Sequence, residues 1–116
     1  MPQSEMPLFT RTFDFLTWLL PASNHFPRTH RHTFTQRLLA AAFDLREQVE
    51  AADHRKGLQR LEYIEAADQS LDRVHLYLRL AAKWAWLSPG QYQHAAGMVT
   101  EIGKLLGGWK KVTRVS

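Results

Sequence analysis

Residues 87–111 carry signals for both ends of a single helix, and this segment constrains the fold more than any other. Ser88 is a preferred N-cap residue, Pro89 suits the first helical turn, and Gln91 follows at the spacing of a capping box. The apolar residues that follow recur at steps of three and four: Tyr92, Ala95, Val99, Ile102 and Leu106. The glycine pair 107–108 predicts the end of the helix. Such a helix must bury its apolar face on other helices, so the basic tail behind the glycines is predicted to emerge from a packed body.

The length and composition predict one soluble domain. The 116 residues fit a single hydrophobic core, and the absence of cysteine excludes disulfides, thiolate metal sites and a cysteine nucleophile. The first residues lack the basic and apolar regions of a signal peptide, and the longest purely apolar run, residues 38–43, is too short to cross a bilayer. We therefore expect a cytoplasmic protein that does not bind membranes.

Apolar periodicity predicts three further helices. The first ends just before Pro21 and carries the stripe Phe9, Phe13, Leu16 and Leu20. The second spans roughly 25 residues, is broken at residues 54–57, and carries the stripe Phe34, Leu38, Ala41, Leu45, Val49 and Ala52. The third spans roughly 30 residues and carries the stripe Leu58, Leu61, Ile64, Ala67, Leu71, Val74, Leu78, Ala81 and Ala85.

The short connections between these helices favour antiparallel neighbours. The predicted fold is therefore all-α, an antiparallel up-down-up-down four-helix bundle that forms one domain over residues 1–116. Residues 1–7 and 112–116 are predicted to be flexible ends.

The third predicted helix carries more apolar surface than one core needs. Beside the core stripe runs a second stripe, Tyr77, Leu80, Trp84 and Leu87, with Leu76 next to it. Large exposed apolar surfaces on soluble proteins usually mark contacts between proteins. We therefore predict that this stripe is the subunit interface of a homo-oligomer. The alternative is a central helix whose second stripe is covered by the first helix.

Charge is distributed unevenly along the chain. Residues 1–43 carry four basic and two acidic side chains, residues 44–72 four and eight, and residues 73–116 seven and one, which gives net charges of +2, −4 and +6. In the predicted bundle the turn at residues 54–57 lies at an acidic end. The opposite, basic end carries His25, Arg28, His30, Arg31, His32, Arg79 and Lys83. A basic end suits a polyanion such as nucleic acid or an acidic protein surface, whereas each charge taken alone is also compatible with a solvated surface.

Recognisable catalytic patterns are missing from the sequence. His25, His30 and His32 cluster in one turn, but no carboxylate lies beside them to complete a metal or catalytic site. No Arg is followed by a His five to seven positions later, as in some helical ribonucleases, and no Glu-x-x-His motif of a di-metal bundle occurs. We expect a protein that is not an enzyme and that needs no metal or cofactor.

Three segments carry a family resemblance: NHFPRTHRHTFTQRL (24–38), LYLRLAAKWAWL (76–87) and LSPGQYQHAAGMVTEIGKLLGGWKK (87–111). Together they resemble the accessory variability determinant (Avd) proteins of diversity-generating retroelements. These proteins belong to a wider group of small four-helix bundles that includes proteins encoded in 23S rRNA intervening sequences. The resemblance covers most of the chain, and the stretch ending in EIGKLLGGW is its most specific part. It implies a non-enzymatic protein that forms a pentameric barrel, binds the element's reverse transcriptase and nucleic acid, and supports mutagenic retrohoming.

The resemblance also indicates binding residues. The basic positions that match the family pattern are Arg28, Arg31, Arg37, Arg79, Lys83 and Lys104. Together with Lys110 and Lys111, they are predicted to bind template RNA or the reverse transcriptase. The pair Trp84 and Trp86 and the acidic second helix depart from the pattern. The predicted function is an adaptor between polymerase and template, and the alternatives are a stand-alone RNA-binding bundle of the intervening-sequence type and a purely structural oligomer.

Overall fold

The computed structural model describes residues 6–115, and every regular element within them is helical, with no β-strand. The four long helices are α1 (Met6–Ser23), α2 (Gln36–Asp53), α3 (Gly57–Lys83) and α4 (Pro89–Val115). A 3₁₀ turn at Arg28–His30 and a π-helical turn at Arg31–Thr35 lead into α2. The all-α prediction is confirmed.

The four helices form a ring in which each packs against its neighbours in sequence and α1 also packs against α4. The connections before α3 and before α4 are too short to let the chain cross the bundle, so α3 runs antiparallel to α2 and α4 runs antiparallel to α3. The domain measures 46 × 25 × 19 Å, and its long axis corresponds to one long helix of about 40 Å. This arrangement is the four-helix bundle predicted from the sequence.

The core is built largely from the predicted faces of α2, α3 and α4. All six residues of the second predicted stripe, from Phe34 to Ala52, are buried, and so are most residues of the third and fourth stripes. Three predicted core residues of the third helix, Leu58, Leu61 and Ala85, are not buried, and Leu61 is half-buried. Leu58 is 78% exposed in the first turn of α3, where no neighbouring helix covers it, and Ala85 lies beyond the end of α3.

α1 buries a different face from the one that its periodicity predicts. The buried stripe is Leu8, Thr12, Phe15 and Leu19. Phe13 and Leu20 of the predicted stripe are 62% and 48% exposed, so that prediction is wrong. The two stripes lie one helical position apart and are both largely apolar, so periodicity does not distinguish them. The threonine in the buried stripe is satisfied locally, because its hydroxyl donates to the carbonyls of Leu8 at 2.9 Å and Phe9 at 3.1 Å.

α1 also continues through Pro21 to Ser23, so its predicted end before the proline is wrong. Pro21 has no N–H and leaves the carbonyl of Thr17 without its helical donor. Both residues are exposed, so water can replace the missing donor. Two hydrogen bonds close the last turn. The Ser23 hydroxyl donates to the carbonyl of Leu20 at 2.8 Å, and the N–H of Asn24 donates to the carbonyl of Pro21 at 3.1 Å.

α4 does not end at the glycine pair 107–108 but continues to Val115. Trp109 is only 5% exposed, and the guanidinium carbon of Arg60 lies 5.4 Å from its ring centre. Two glycines inside a helix are unfavourable relative to alanine, but the helix that continues through them buries the large apolar ring of Trp109, although its indole N–H has no hydrogen-bond partner among the described residues. The burial of Trp109 therefore outweighs the local stop signal. The predicted end at the glycines, and the predicted emergence of the tail there, are wrong.

The predicted flexible ends are helical wherever the structure describes them. Residues 6–7 lie in α1 and residues 112–115 lie in α4. The rest of those predicted ends, residues 1–5 and 116, lies outside the described residues. No helix of the described stretch combines the length and apolar character that crossing a bilayer requires.

The turn between α3 and α4 joins two capping motifs. α3 ends in a Schellman motif, in which the N–H of Trp86 donates to the carbonyl of Ala81 at 2.8 Å. Ala85 takes the left-handed position of this motif with a φ of 61°, where glycine is usual. The predicted capping box at the start of α4 is confirmed. The N–H of Gln91 donates to Oγ of Ser88 at 3.1 Å, and the N–H of Ser88 donates to Oε1 of Gln91 at 2.9 Å.

Ala85→Gly is expected to raise the free energy of unfolding by roughly 0.5–1 kcal/mol, because glycine adopts the left-handed conformation without the steric cost of a Cβ. Urea denaturation followed by circular dichroism measures the change. Ala82→Gly, inside the last turn of α3, is the matched control and should lower the free energy of unfolding by about 1 kcal/mol. Equal destabilisation by both substitutions would contradict the strained turn.

Candidate nucleic-acid interface

One end of the bundle brings both of its longer connections together. It is formed by residues 24–37 and 77–88, and we call it the aromatic end. His30, in the connection before α2, stacks on Trp86, in the turn before α4. Their ring centroids are 5.4 Å apart and their planes differ by 20°. The two connections therefore form one continuous surface.

Phe34 is the centre of the ring cluster at the aromatic end. It is buried and meets Trp84 and Trp86 nearly at right angles, with centroid distances of 5.5 and 5.2 Å and interplanar angles of 69° and 82°. Edge-to-face contacts of this kind are favourable because they match the quadrupoles of the rings. Phe26 and Tyr77 add further ring contacts to Phe34 at 6.1 and 5.7 Å. Trp84 nevertheless remains 48% exposed, so the cluster is open to solvent on its side.

A pocket of about 560 Å³ opens on this cluster and is lined by His30, Thr33, Phe34, Trp84 and Trp86. Its size lies within the range of about 300–1,000 Å³ that small-molecule sites occupy. The backbone explains why two indoles share one pocket. The left-handed Ala85 reverses the chain between them and leaves their ring centroids 4.9 Å apart. The way in which α3 ends therefore brings the two indoles of the pocket together.

The aromatic end is basic and carries no carboxylate. The sequence has no Asp or Glu between Asp14 and Asp44 or between Asp72 and Glu101, and these two stretches include the whole aromatic end. Five predicted binding residues lie there and are exposed: Arg28, Arg31, Arg37, Arg79 and Lys83. Within residues 7–114, no ion pair involves any of the five. Their charges therefore face solvent without compensation.

The other predicted binding residues do not belong to this surface. Lys104, Lys110 and Lys111 follow the start of α4 by 15 to 22 residues, which places them about 22–33 Å along the helix axis. α4 thus adds basic side chains to the end that was predicted to be acidic. At that end, Nη2 of Arg114 lies 3.9 Å from Oε1 of Glu65. The eight predicted binding residues form more than one surface, and the predicted acidic end is corrected to one of mixed charge.

Comparison with known proteins places this architecture in a family. The sequence matches the profile of the bAvd-like family over residues 6–113. The chain belongs to the bAvd-like family. This membership confirms the resemblance to Avd proteins that the sequence indicates.

A solved structure shares the fold of this bAvd-like protein. It is the crystal structure of a Bacteroides thetaiotaomicron protein of unknown function from the S23 ribosomal protein family. The two chains superpose with a TM-score of 0.84 at 14% identity, over 94% of this chain and 99% of that chain. No curated protein matches the sequence.

The structure changes the subunit interface predicted for this bAvd-like protein. α3 ends at Lys83, so Trp84 and Leu87 do not continue its helical face. Leu87 is 2% exposed in the core and is not available to a second subunit. Tyr77 and Leu80 are half-buried against the core, and Trp84 lines the aromatic pocket. Large apolar side chains are exposed elsewhere, among them Phe13, Leu20, Phe43, Leu58, Leu76 and Val112.

The three clustered histidines of the bAvd-like protein do not converge on one site. His30 stacks on Trp86, Nδ1 of His32 lies 3.3 Å from Oε1 of Gln36, and His25 is exposed. Among the residues that the structure describes, no three His, Asp or Glu side chains are arranged to hold a metal ion. The contribution of His30 is thus to the surface of the aromatic pocket.

The sequence predicts the basic side chains of the aromatic end but not its pocket. The apolar stripes correctly place Phe34 in the core but place Trp84 in a subunit interface, whereas the structure brings both residues together in one pocket. A signal was present in the topology. In an up-down bundle, the aromatic residues just before α2 and just after α3 meet at the same end.

Proposed function

We propose that this bAvd-like protein is a non-enzymatic accessory protein of a diversity-generating retroelement. In this role it binds template RNA and the element's reverse transcriptase, assembles as a homopentamer and supports mutagenic retrohoming, while the polymerase performs the chemistry. The observation that carries the proposal is the aromatic end, where exposed cations flank an open aromatic pocket without a carboxylate among them. Membership in the bAvd-like family supports the choice of partners.

The charges of the aromatic end suit a phosphate backbone. Its arginines can donate paired hydrogen bonds to phosphate oxygens, and neutralising phosphates releases the counterions that surround a nucleic acid. Carboxylates at the same surface would repel phosphate and compete for the arginines. Their absence from residues 15–43 and 73–100 therefore favours a polyanionic partner over a neutral one.

The exposed face of α1 supports assembly into an oligomer. Phe13 and Leu20 are seven residues apart, so they lie two turns apart on one side of the helix. The half-buried Phe9 and Leu16 extend the same apolar strip. An apolar strip of this kind suits a contact with another subunit, and the number of five subunits is taken from the family resemblance.

The first test compares two pairs of substitutions that remove equal charge from opposite ends. Arg79→Ala with Lys83→Ala should weaken binding to a single-stranded RNA and reduce the slope of log affinity against log salt by about 1.4 per protomer, because two phosphate contacts are lost. Lys110→Ala with Lys111→Ala, the matched control, should change both quantities much less. Fluorescence anisotropy at several salt concentrations measures them. Equal losses in the two variants, or binding that salt does not weaken, would refute the proposed surface.

The second test concerns assembly. Native mass spectrometry should show a closed homopentamer, and Phe13→Glu should dissociate it because the substitution buries an unpaired charge in an apolar contact. Phe13 is 62% exposed, so the protomer should keep its helical circular dichroism. Leu58→Glu adds the same charge at another exposed apolar residue and is the control. A monomeric wild-type protein would refute the assembly, and dissociation by Leu58→Glu alone would move the interface to the start of α3.

The third test concerns the protein partner. The protein should co-purify with the reverse transcriptase of its own element, and Arg79→Glu with Lys83→Glu should abolish co-purification while the oligomer and its helical content persist. Lys110→Glu with Lys111→Glu serves as the control for charge reversal. Unchanged co-purification of the Arg79 and Lys83 variant would exclude this surface as the polymerase contact. RNA binding without any co-purified polymerase would instead favour a stand-alone RNA-binding bundle.

A further inference from the structure

The aromatic pocket has a feature that binding to a phosphate backbone does not require. Trp84 keeps 48% of its surface exposed although it stands beside a buried cluster. An exposed indole leaves apolar area in contact with water, and a stacked ligand would remove that area from water. We propose that the pocket lined by His30, Thr33, Phe34, Trp84 and Trp86 holds an unpaired nucleobase of a single-stranded nucleic acid. The inference rests on the proposed nucleic-acid binding and specifies its mode.

The charges beside the pocket favour a base over an apolar peptide. Lys83 precedes Trp84 in the chain, and Arg28 and Arg31 lie on either side of His30. All three are exposed and form no ion pair within the part of the chain that the structure describes. A ligand that satisfies both features is planar and aromatic at its centre and negatively charged on both sides, as a nucleotide within a strand is. An apolar peptide would fill the pocket and leave the cations unused.

Stacking in the pocket requires a base with a free face, which favours single strands over duplexes. Bases inside a duplex are stacked on one another and do not present a free face, whereas single strands offer their bases to aromatic side chains. Such stacking depends little on the identity of the base, because every base has an aromatic face. The pocket should therefore select unpaired segments of the template without reading their sequence.

The pocket is preorganised for stacking. Phe34 is 8% exposed and braces both indoles by edge-to-face contacts. The hydrogen bond from the N–H of Trp86 to the carbonyl of Ala81, at 2.8 Å, fixes the backbone between α3 and the pocket. Rings that are already held in place lose little conformational entropy when a ligand binds. His30, stacked on Trp86, extends the aromatic surface beyond the indoles.

The experiment separates base stacking from phosphate binding. Two end-labelled probes of equal length are compared at one low salt concentration: an oligouridine and the same ribose-phosphate strand without bases. The wild-type protein should bind the oligouridine at least about fivefold more tightly, since stacking of one base contributes that factor or more. Trp84→Ala should abolish this preference and leave the affinity for the baseless strand unchanged. Trp84→Phe should retain part of the preference.

A second readout is intrinsic fluorescence, because a stacked base should quench an exposed tryptophan. At saturation the oligouridine should quench the wild-type protein more than the baseless strand does, and the difference should vanish in Trp84→Ala. Leu58→Ala, which removes an exposed apolar side chain outside the aromatic end, should behave as the wild type. Circular dichroism confirms that each variant is folded. If Trp84→Ala does not fold, the wild-type preference and the Trp84→Phe variant decide the question.

The outcomes distinguish the pocket from the function on which it rests. Equal wild-type affinity for the two probes overturns the base pocket and leaves the electrostatic interface intact. A preference that persists in Trp84→Ala also overturns it, and loss of polymerase co-purification in that variant would assign the pocket to a protein contact. No binding of either probe at low salt overturns the proposed nucleic-acid function together with the pocket.

Discussion

The packing of Phe34 joins the hydrophobic core to the exposed end of the molecule. Phe34 is the first residue of the buried stripe that continues along α2. Its ring also contacts both indoles of the α3–α4 turn. Together with the ring contacts of Phe26 and His30 to Trp86, this packing holds the connection before α2 against the turn before α4. The arginines before α2 and Lys83 at the end of α3 are held near one another by these contacts. Loss of the ring would open a cavity and remove the edge-to-face contacts to both indoles, so Phe34 contributes to stability and to the candidate interface.

The sequence predicts the parts of the fold in which a single apolar face meets one core. α2, α3 and α4 each carry one dominant core stripe, and the capping box of α4 is a local motif whose hydrogen bonds involve residues three apart. α1 carries two apolar stripes, and only the packed neighbours decide which is buried. The glycine pair 107–108 is a valid local stop signal that fails because Trp109 gains burial from helices far away in sequence. In both places tertiary packing decides what the local sequence pattern does not.

The sequence also predicts one part of the candidate site and not the other. Its cations could be predicted because an up-down topology brings residues 24–37 and 77–88 to one end, whatever the details of packing. The same topology brings the aromatic residues to that end, but their arrangement as a pocket could not be predicted, because it depends on α3 ending at Lys83 and on an alanine in a conformation that usually requires glycine. With the helix extended further, Trp84 and Leu87 fall on one helical face and suggest an interface. Once the helix stops, Leu87 turns into the core and Trp84 faces the pocket.

The net charge of +4 understates how basic the aromatic end is. Carboxylates are concentrated in residues 44–72, and the nearest of them on α2, Asp44, stands eight residues beyond Gln36, which is about 12 Å along the helix. Asp44 also forms an ion pair, in which its Oδ2 lies 3.5 Å from Nη2 of Arg73. Exposed charges more than about 8–10 Å apart are largely screened at physiological salt. A phosphate group at the aromatic end therefore meets the local arginines and lysine rather than the average of the molecule, and the acidic middle of the chain does not cancel their attraction.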